Sequence, residues 1–172
     1  MTPTILYYNR VVPTTERSPV LTPLPGEADL GLVDALAQLA FAVQGALGRN
    51  ASEYDLSIVQ ARLLGILRDR SPTINELARF LQLDKSSVTG LIDRAQERGL
   101  VARSTSSLDR RSVQVTITVS GQQLVNRATA AFEAELAVLV ADLDPTQLNR
   151  LSAIASHIVV ADARRRGIDI ST

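Results

Sequence analysis

The 172-residue chain has no cysteine and no tryptophan, one histidine and one methionine, and only 3% aromatic residues. Without cysteine there is no disulfide framework, no thiolate nucleophile, no Cys-ligated zinc and no cysteine-based peroxide sensor, and a cytoplasmic location is expected. Formal net charge is zero, so no global field draws the chain to a polyanion. No uninterrupted apolar run approaches the ~18–20 residues of a membrane span, and the N-terminus lacks a basic start followed by an apolar stretch. The expectation is a soluble, unexported protein with no membrane partner. Neither G-x-G-x-x-G nor G-x-x-x-x-G-K-[ST] occurs, so nucleotide chemistry lacks its usual phosphate cradle. His157 stands in the apolar register of a C-terminal segment with no partner nearby for a triad or a metal site, and is expected to be structural. No enzymatic activity, cofactor or metal is expected.

What is present is a hydrophobic content of 45%, enough to build a core in a chain of this length, and most simply one domain. Residues 1–28 hold five of the seven prolines, a composition that opposes both helix and central strand. They read as a Pro-rich arm, either mobile or extended across a folded surface through Ile5-Leu6-Tyr7-Tyr8. Residues 29–56 read as a helix and linker: Leu32, Val33, Leu36, Leu39, Ala40, Val43, Ala46 and Leu47 form one broad apolar stripe to about Arg49. Ser57 with Gln60 has capping-box spacing and opens a helix that ends near Arg70.

The next stretch carries the most information. Thr73 with Glu76 repeats the capping-box spacing, and Ile74, Leu77, Ala78 and Leu81 fall on one helical face. Asp84 can cap a second helix in which Val88, Leu91, Ile92 and Ala95 share a face, until Gly99 offers a left-handed stop. Two short helices packed on each other leave the opposite face of the second free to meet a groove in DNA. Leu100 to Arg103, and Val113, Val115, Ile117 and Val119 with polar residues between, read as two antiparallel strands joined by a polar tip from Ser104 to Ser112. Together residues 57–119 form a winged helix-turn-helix. Residues 120–172 supply two further helices, the first capped by Ser120 with Gln123 and running to about Asp142, the second by Asp144-Pro145 with Gln147 and closed by Gly167. The fold class is mainly α with a small β-hairpin wing. The long helices outside the module are apolar enough to pack on one another or on a second copy.

Charge is distributed unevenly. Residues 57–118 hold ten Lys/Arg against six Asp/Glu, whereas the remainder holds eight against twelve. The basic excess therefore surrounds the helix-turn-helix, and local charge governs phosphate contact. Arg164-Arg165-Arg166 reads as a complement to the carboxyl end of the last helix.

From about Asp29 to Arg164 the order of elements resembles the MarR family of bacterial transcriptional regulators. The most specific portion is N-E-L-A-R-F-L-Q-L-D-K-S-S-V-T-G-L-I-D-R-A-Q-E-R-G-L-V-A-R followed by D-R-R-S-V-Q-V-T-I-T-V-S-G. The resemblance implies a homodimer on double-stranded, pseudo-palindromic DNA, with first and last helices interlocked, the second motif helix in the major groove and the wing beside the minor groove. It also implies control by a small aromatic or lipophilic ligand between the dimer helices and the module, where Leu36, Leu39, Ala40 and Leu64 are candidates.

The candidate DNA-binding residues are Thr73, Lys85, Ser86, Ser87, Thr89, Gly90 and Arg94 on the motif, with Asp109, Arg110 and Arg111 on the wing. Helical geometry points Ser86, Gly90, Asp93 and Glu97 outward, with Ser87, Thr89 and Arg94 on the flanks. Hydroxyls suit phosphates and base edges, a helix start favours a phosphate, and wing arginines suit a narrow minor groove. In the family's D-x-R pattern Asp109 orients Arg111. Gly90 stands where the family commonly has a larger polar or basic residue, and an outward Asp93 repels phosphate unless it pairs with Arg94 or accepts from a cytosine amino group. Those two residues sustain an alternative, a winged-helix protein-protein interaction module with weak or no specific DNA binding.

Overall fold

The computed structural model describes residues 30–105 and 113–168. The expected arm at 1–28 and the wing-tip residues Asp109, Arg110 and Arg111 lie outside the described residues. Six helices and two strands follow in the order α1 (Gly31–Glu53), α2 (Ile58–Leu67), α3 (Ile74–Leu81), α4 (Lys85–Glu97), β1 (Val101–Thr105), β2 (Val113–Ile117), α5 (Val119–Leu139) and α6 (Pro145–Arg165). Two units are distinguished, Met1–Ala37 and Gln38–Thr172. Residues 31–37 of the first are the opening turns of α1; everything from α2 onward belongs to the second.

Local chemistry sets most helix starts. Ser57 accepts from the backbone N–H of Gln60, whose side chain accepts in return from Ser57 at 2.9 Å. Thr73 and Glu76 form the same reciprocal box at the head of α3, and Asp144 with Gln147 forms it at α6, where Pro145 occupies the first turn without an orphaned donor. The sharp turn between α3 and α4 is made by Gln82, which adopts a left-handed conformation at φ 58. That conformation is costly for a non-glycine, by about 1–2 kcal/mol. Gly99 at φ 68 performs the expected stop after α4.

The core lies in the second unit. Leu63, Leu64 and Leu67 of α2, Leu77 of α3, Val88 and Ile92 of α4, and Val115 of β2 are all 2% exposed or less. The two expected stripes of the motif do close on each other. The hairpin is antiparallel, pairing Val101 with Ile117 and Arg103 with Val115. It is fastened to the module where the Val115 N–H donates to the Pro72 carbonyl at 2.9 Å.

Several boundaries differ from expectation. Helix α1 continues past Arg49 to Glu53 because Ala51 packs into the core at 1% exposure. Helix α2 stops at Leu67, and α5 at Leu139. Val119, expected to end the second strand, is instead the first residue of α5, and the cap is Thr118 rather than Ser120. The cause is tertiary. The Thr118 hydroxyl donates to the Gly99 carbonyl at 2.7 Å while accepting from the Gly121 N–H at 3.0 Å. Gly121 lies so close to the chain just before β1 that an added Cβ would sit 2.1 Å from the Leu100 carbonyl oxygen. Only glycine allows α5 to start there.

The flanking helices keep apolar faces open. On α6, Ile154, Ile158 and Val159 are 60%, 50% and 58% exposed, and only Ala163 is buried. On α1, Leu39 and Phe41 are exposed in the second unit, as are Leu32, Val33 and Leu36 in the first. By length and composition alone α1 is long and apolar enough to cross a membrane, although Asp34 and Arg49 interrupt it. His157 lies on the exposed part of α6 and is not enclosed in a core.

Candidate nucleic-acid interface

Helix α4 is anchored along one side and open along the other. Val88, Leu91, Ile92 and Ala95 are buried, whereas Lys85, Ser86, Ser87 and Arg94 are exposed and Thr89, Gly90 and Asp93 are half-buried. Lys85 and Arg94 form no ion pair among the described residues. Two cations without an ion pair among the described residues therefore stand on the open face, one at each end of its first three turns.

The hydroxyls on this face are committed within the protein. Asp84 caps α4 by accepting from the Ser87 N–H at 2.8 Å, and it also accepts from the Ser87 hydroxyl at 2.6 Å and from that of Ser86. Those hydrogen bonds, Ser86 first, hold the Asp84 carboxyl well below the usual carboxylate range. Thr89 donates to the Lys85 carbonyl at 2.8 Å, and Thr73 donates to Glu76 at 2.8 Å. Each of the four candidate hydroxyls thus spends its proton within the protein, and that of Thr73 also accepts from the Glu76 N–H at 3.2 Å. A phosphate oxygen only accepts, so serine contact with phosphate requires release from Asp84, whereas a base amino group can donate directly.

Asp93 is paired with neither Arg94 nor solvent alone. Arg103 of β1 reaches it at 2.6 Å and donates to the Gln96 side chain at 3.0 Å. A half-exposed pair of this kind stabilises by only about 0–1 kcal/mol, but it cancels the carboxylate that would face phosphate and ties the wing to α4. Sequence spacing alone had offered Arg94 as the partner, because Arg103 comes into reach only through the turn at Gly99. At Gly90 an added Cβ would meet only the Arg94 guanidinium at 3.6 Å, so no internal packing requires a glycine whose helical cost is about 1 kcal/mol. At the far end of α4, Arg98 donates to the carbonyls of Asp55 and Tyr54 at 2.6 and 3.2 Å, joining the helix to the turn between α1 and α2.

A cavity of about 160 Å³ lies between α1, α2 and α5, with Leu47, Leu64, Leu124 and Phe132 among its walls. Of the residues expected at a ligand site, Leu64 lines it; Leu36, Leu39 and Ala40 are exposed along α1 instead. Position along the helix explains the difference, since Leu36, Leu39 and Ala40 share the face of Ala46, Leu47 and Asn50 but lie nearer the amino end of α1, where the helix is exposed. Asn50, which periodicity passed over as polar, is the one buried polar residue among those described. A larger cleft of about 420 Å³ lies beside Phe80, where Arg70 stands over the ring at 5.4 Å; acidic and basic residues alternate around it.

A sequence model of the MarR family matches residues 54–112. An HTH-type transcriptional regulator of Bacillus subtilis, YhbI, is 31% identical over 106 residues, spanning 61% of this chain and 69% of that protein. The homoprotocatechuate degradative operon repressor of Escherichia coli is 26% identical over 137 residues, 78% of this chain and 92% of that one. Among solved structures, wild-type apo MarR of E. coli superposes with a TM-score of 0.66 at 20% identity, over 77% of this chain and 98% of its own.

Proposed function

The chain belongs to the MarR family, whose members here are DNA-binding transcriptional regulators, and from that premise we propose that it acts as a homodimer on a pseudo-palindromic operator. The observation that carries this reading is the open face of α4, where Lys85 and Arg94 stand without counter-ions among the described residues while Arg103 neutralises Asp93. Lys85, Arg94 and the first N–H groups of α4 supply phosphate contacts, and Ser86, Ser87 and Thr89 offer acceptors to the base edges. Gly90 brings backbone close to the groove, Thr73 fixes the head of α3, and Arg110 and Arg111, with Asp109 orienting the latter, enter the minor groove. Half-site spacing then contributes much of the specificity.

The open apolar faces of α1 and α6 support dimerisation, since faces of this kind mark a protein contact. Regulation follows the E. coli repressor named above in kind, repression being the expected output, and the largely apolar cavity beside α2 supports modulation by a small ligand that shifts the population of reading-competent dimers. The operator lies in cytoplasmic DNA.

A mobility-shift titration on the DNA flanking its own gene, with nonspecific competitor, tests the reading. Arg111→Ala is expected to weaken binding to every sequence and to lower the slope of log affinity against log salt by roughly 0.9. Absence of any shift at low salt would instead favour the protein-interaction module.

A further inference from the structure

We propose that Arg94 reads a guanine in each half-site of the operator, and that Gly90 is the seat that carries its guanidinium over the base edges. The inference rests on the DNA-binding reading above and deepens it, moving Arg94 from a phosphate contact to a base contact.

The root and the head of this side chain lie on different rows of the helix. By register Arg94 is rooted on the flank of α4, where a cation would meet the phosphates that wall the groove. Its head is elsewhere. A Cβ built on Gly90 would stand 3.6 Å from Arg94 Nη1, so the guanidinium has folded back one turn, in the direction helical side chains lean, and rests against position 90. Gly90 shares the outward row with Ser86, Asp93 and Glu97, the row that faces the groove floor. The fold-back also carries the charge toward the amino-terminal turns, which are the ones that touch base edges in a recognition helix.

Glycine accounts for the seat. It is a poorer helix former than alanine, and nothing packed inside the protein calls for it here. What it provides is space. A side chain longer than a methyl at position 90 would occupy the volume that the guanidinium holds.

The fork is also uncommitted. Arg94 is exposed and forms no ion pair among the described residues, and the neighbouring carboxylate, Asp93, is held by Arg103 at 2.6 Å. A guanidinium presents parallel N–H donors, and guanine sets two acceptors side by side in the major groove, O6 and N7. Adenine puts an amino donor beside its N7, so the second N–H would face another hydrogen.

Selection of duplexes from a random library by the full chain tests this with no operator known beforehand. Enriched sequences are expected to share a guanine at one fixed position of each half-site. Replacing that G·C pair by A·T is expected to lower wild-type affinity at least about tenfold. The ratio of the two affinities is the diagnostic, because removing an arginine that touches only phosphate weakens both duplexes alike. Arg94→Ala is expected to bring the ratio close to one. Gly90→Gln retains Arg94 but fills its seat, and is expected to do the same. Gly90→Ala, whose methyl stands at ordinary contact distance from the guanidinium, should fall between Gly90→Gln and the wild type. Neither position belongs to the sealed core, so the variants are expected to fold.

An unchanged ratio in Arg94→Ala or in Gly90→Gln, or an enriched half-site without a fixed guanine, would overturn the proposal and leave DNA binding in place. Retention of no duplex even at low salt would remove the DNA-binding reading itself, and this inference with it.

Discussion

The helix-turn-helix module and the last helix treat their apolar residues in opposite ways. In the module, Leu63, Leu77, Val88, Ile92 and Val115 are fully sealed by their own chain. On α6, residues of the same kind in the same helical period remain open, Ile154 at 60% and Val159 at 58% exposure. Periodicity thus says that a face is to be covered and leaves unstated what covers it. The module's face is closed within the chain, whereas α6 leaves to another body what the module does for itself.

Three measurements break or sharpen that contrast. The largest effect belongs to Ile92→Ala, which empties a sealed site and is expected to cost about 2–5 kcal/mol in a urea titration; a loss below about 1 kcal/mol would mean that the module is not closed as described. Thr73→Ala is expected to cost about 1 kcal/mol by removing a cap, and its dependence on pH has a definite sign. Hydrogen bonds from the Thr73 backbone and hydroxyl hold the Glu76 carboxyl below its ordinary value. A depressed acid stabilises fully above its unfolded pKa, about 4.3, and ceases to do so as pH falls through the folded value. The wild-type advantage over Thr73→Ala should therefore be constant near neutrality and shrink in acid; a difference independent of pH would sever Glu76 from the cap.

The smallest intrinsic effect is expected at Ile154→Glu, within about 0.5 kcal/mol for the isolated chain, as at any exposed site. Its signature is concentration. The wild-type unfolding midpoint should rise with protein concentration and that of Ile154→Glu should not, because association stabilises only the folded state. A wild-type midpoint that ignores concentration would remove a second copy as the cover of α6.

Much of the fold was legible because its signals are local. The caps at Ser57, Thr73, Asp84 and Asp144 act within three residues of themselves, and the stripes of α3 and α4 needed only each other. The start of α5 was misread for the opposite reason. Ser120 and Thr118 each have a capping side chain, and the choice between them depends on the approach of Gly121 to the Leu100 carbonyl and on the Thr118 bond to Gly99, 19 positions earlier, a contact brought together only by the hairpin between. The candidate interface divides likewise. Its exposed residues on α4 followed from helical register, but the Arg103 partner of Asp93 comes from the next strand. Asn50 was hidden because a polar residue in an apolar helix looks like surface until three helices enclose it.

The grip of Arg98 on the Asp55 and Tyr54 carbonyls ties the carboxyl end of α4 to the turn between α1 and α2. Because Val88, Leu91, Ile92 and Ala95 hold the rest of the helix in the core, α4 cannot swing on that end alone and tilts only with the body it is packed in. Ser86 lies about 18 Å from Arg98 at 1.5 Å per residue, so a tilt of that body by about 10° displaces Ser86 by about 3 Å, the reach of one hydrogen bond.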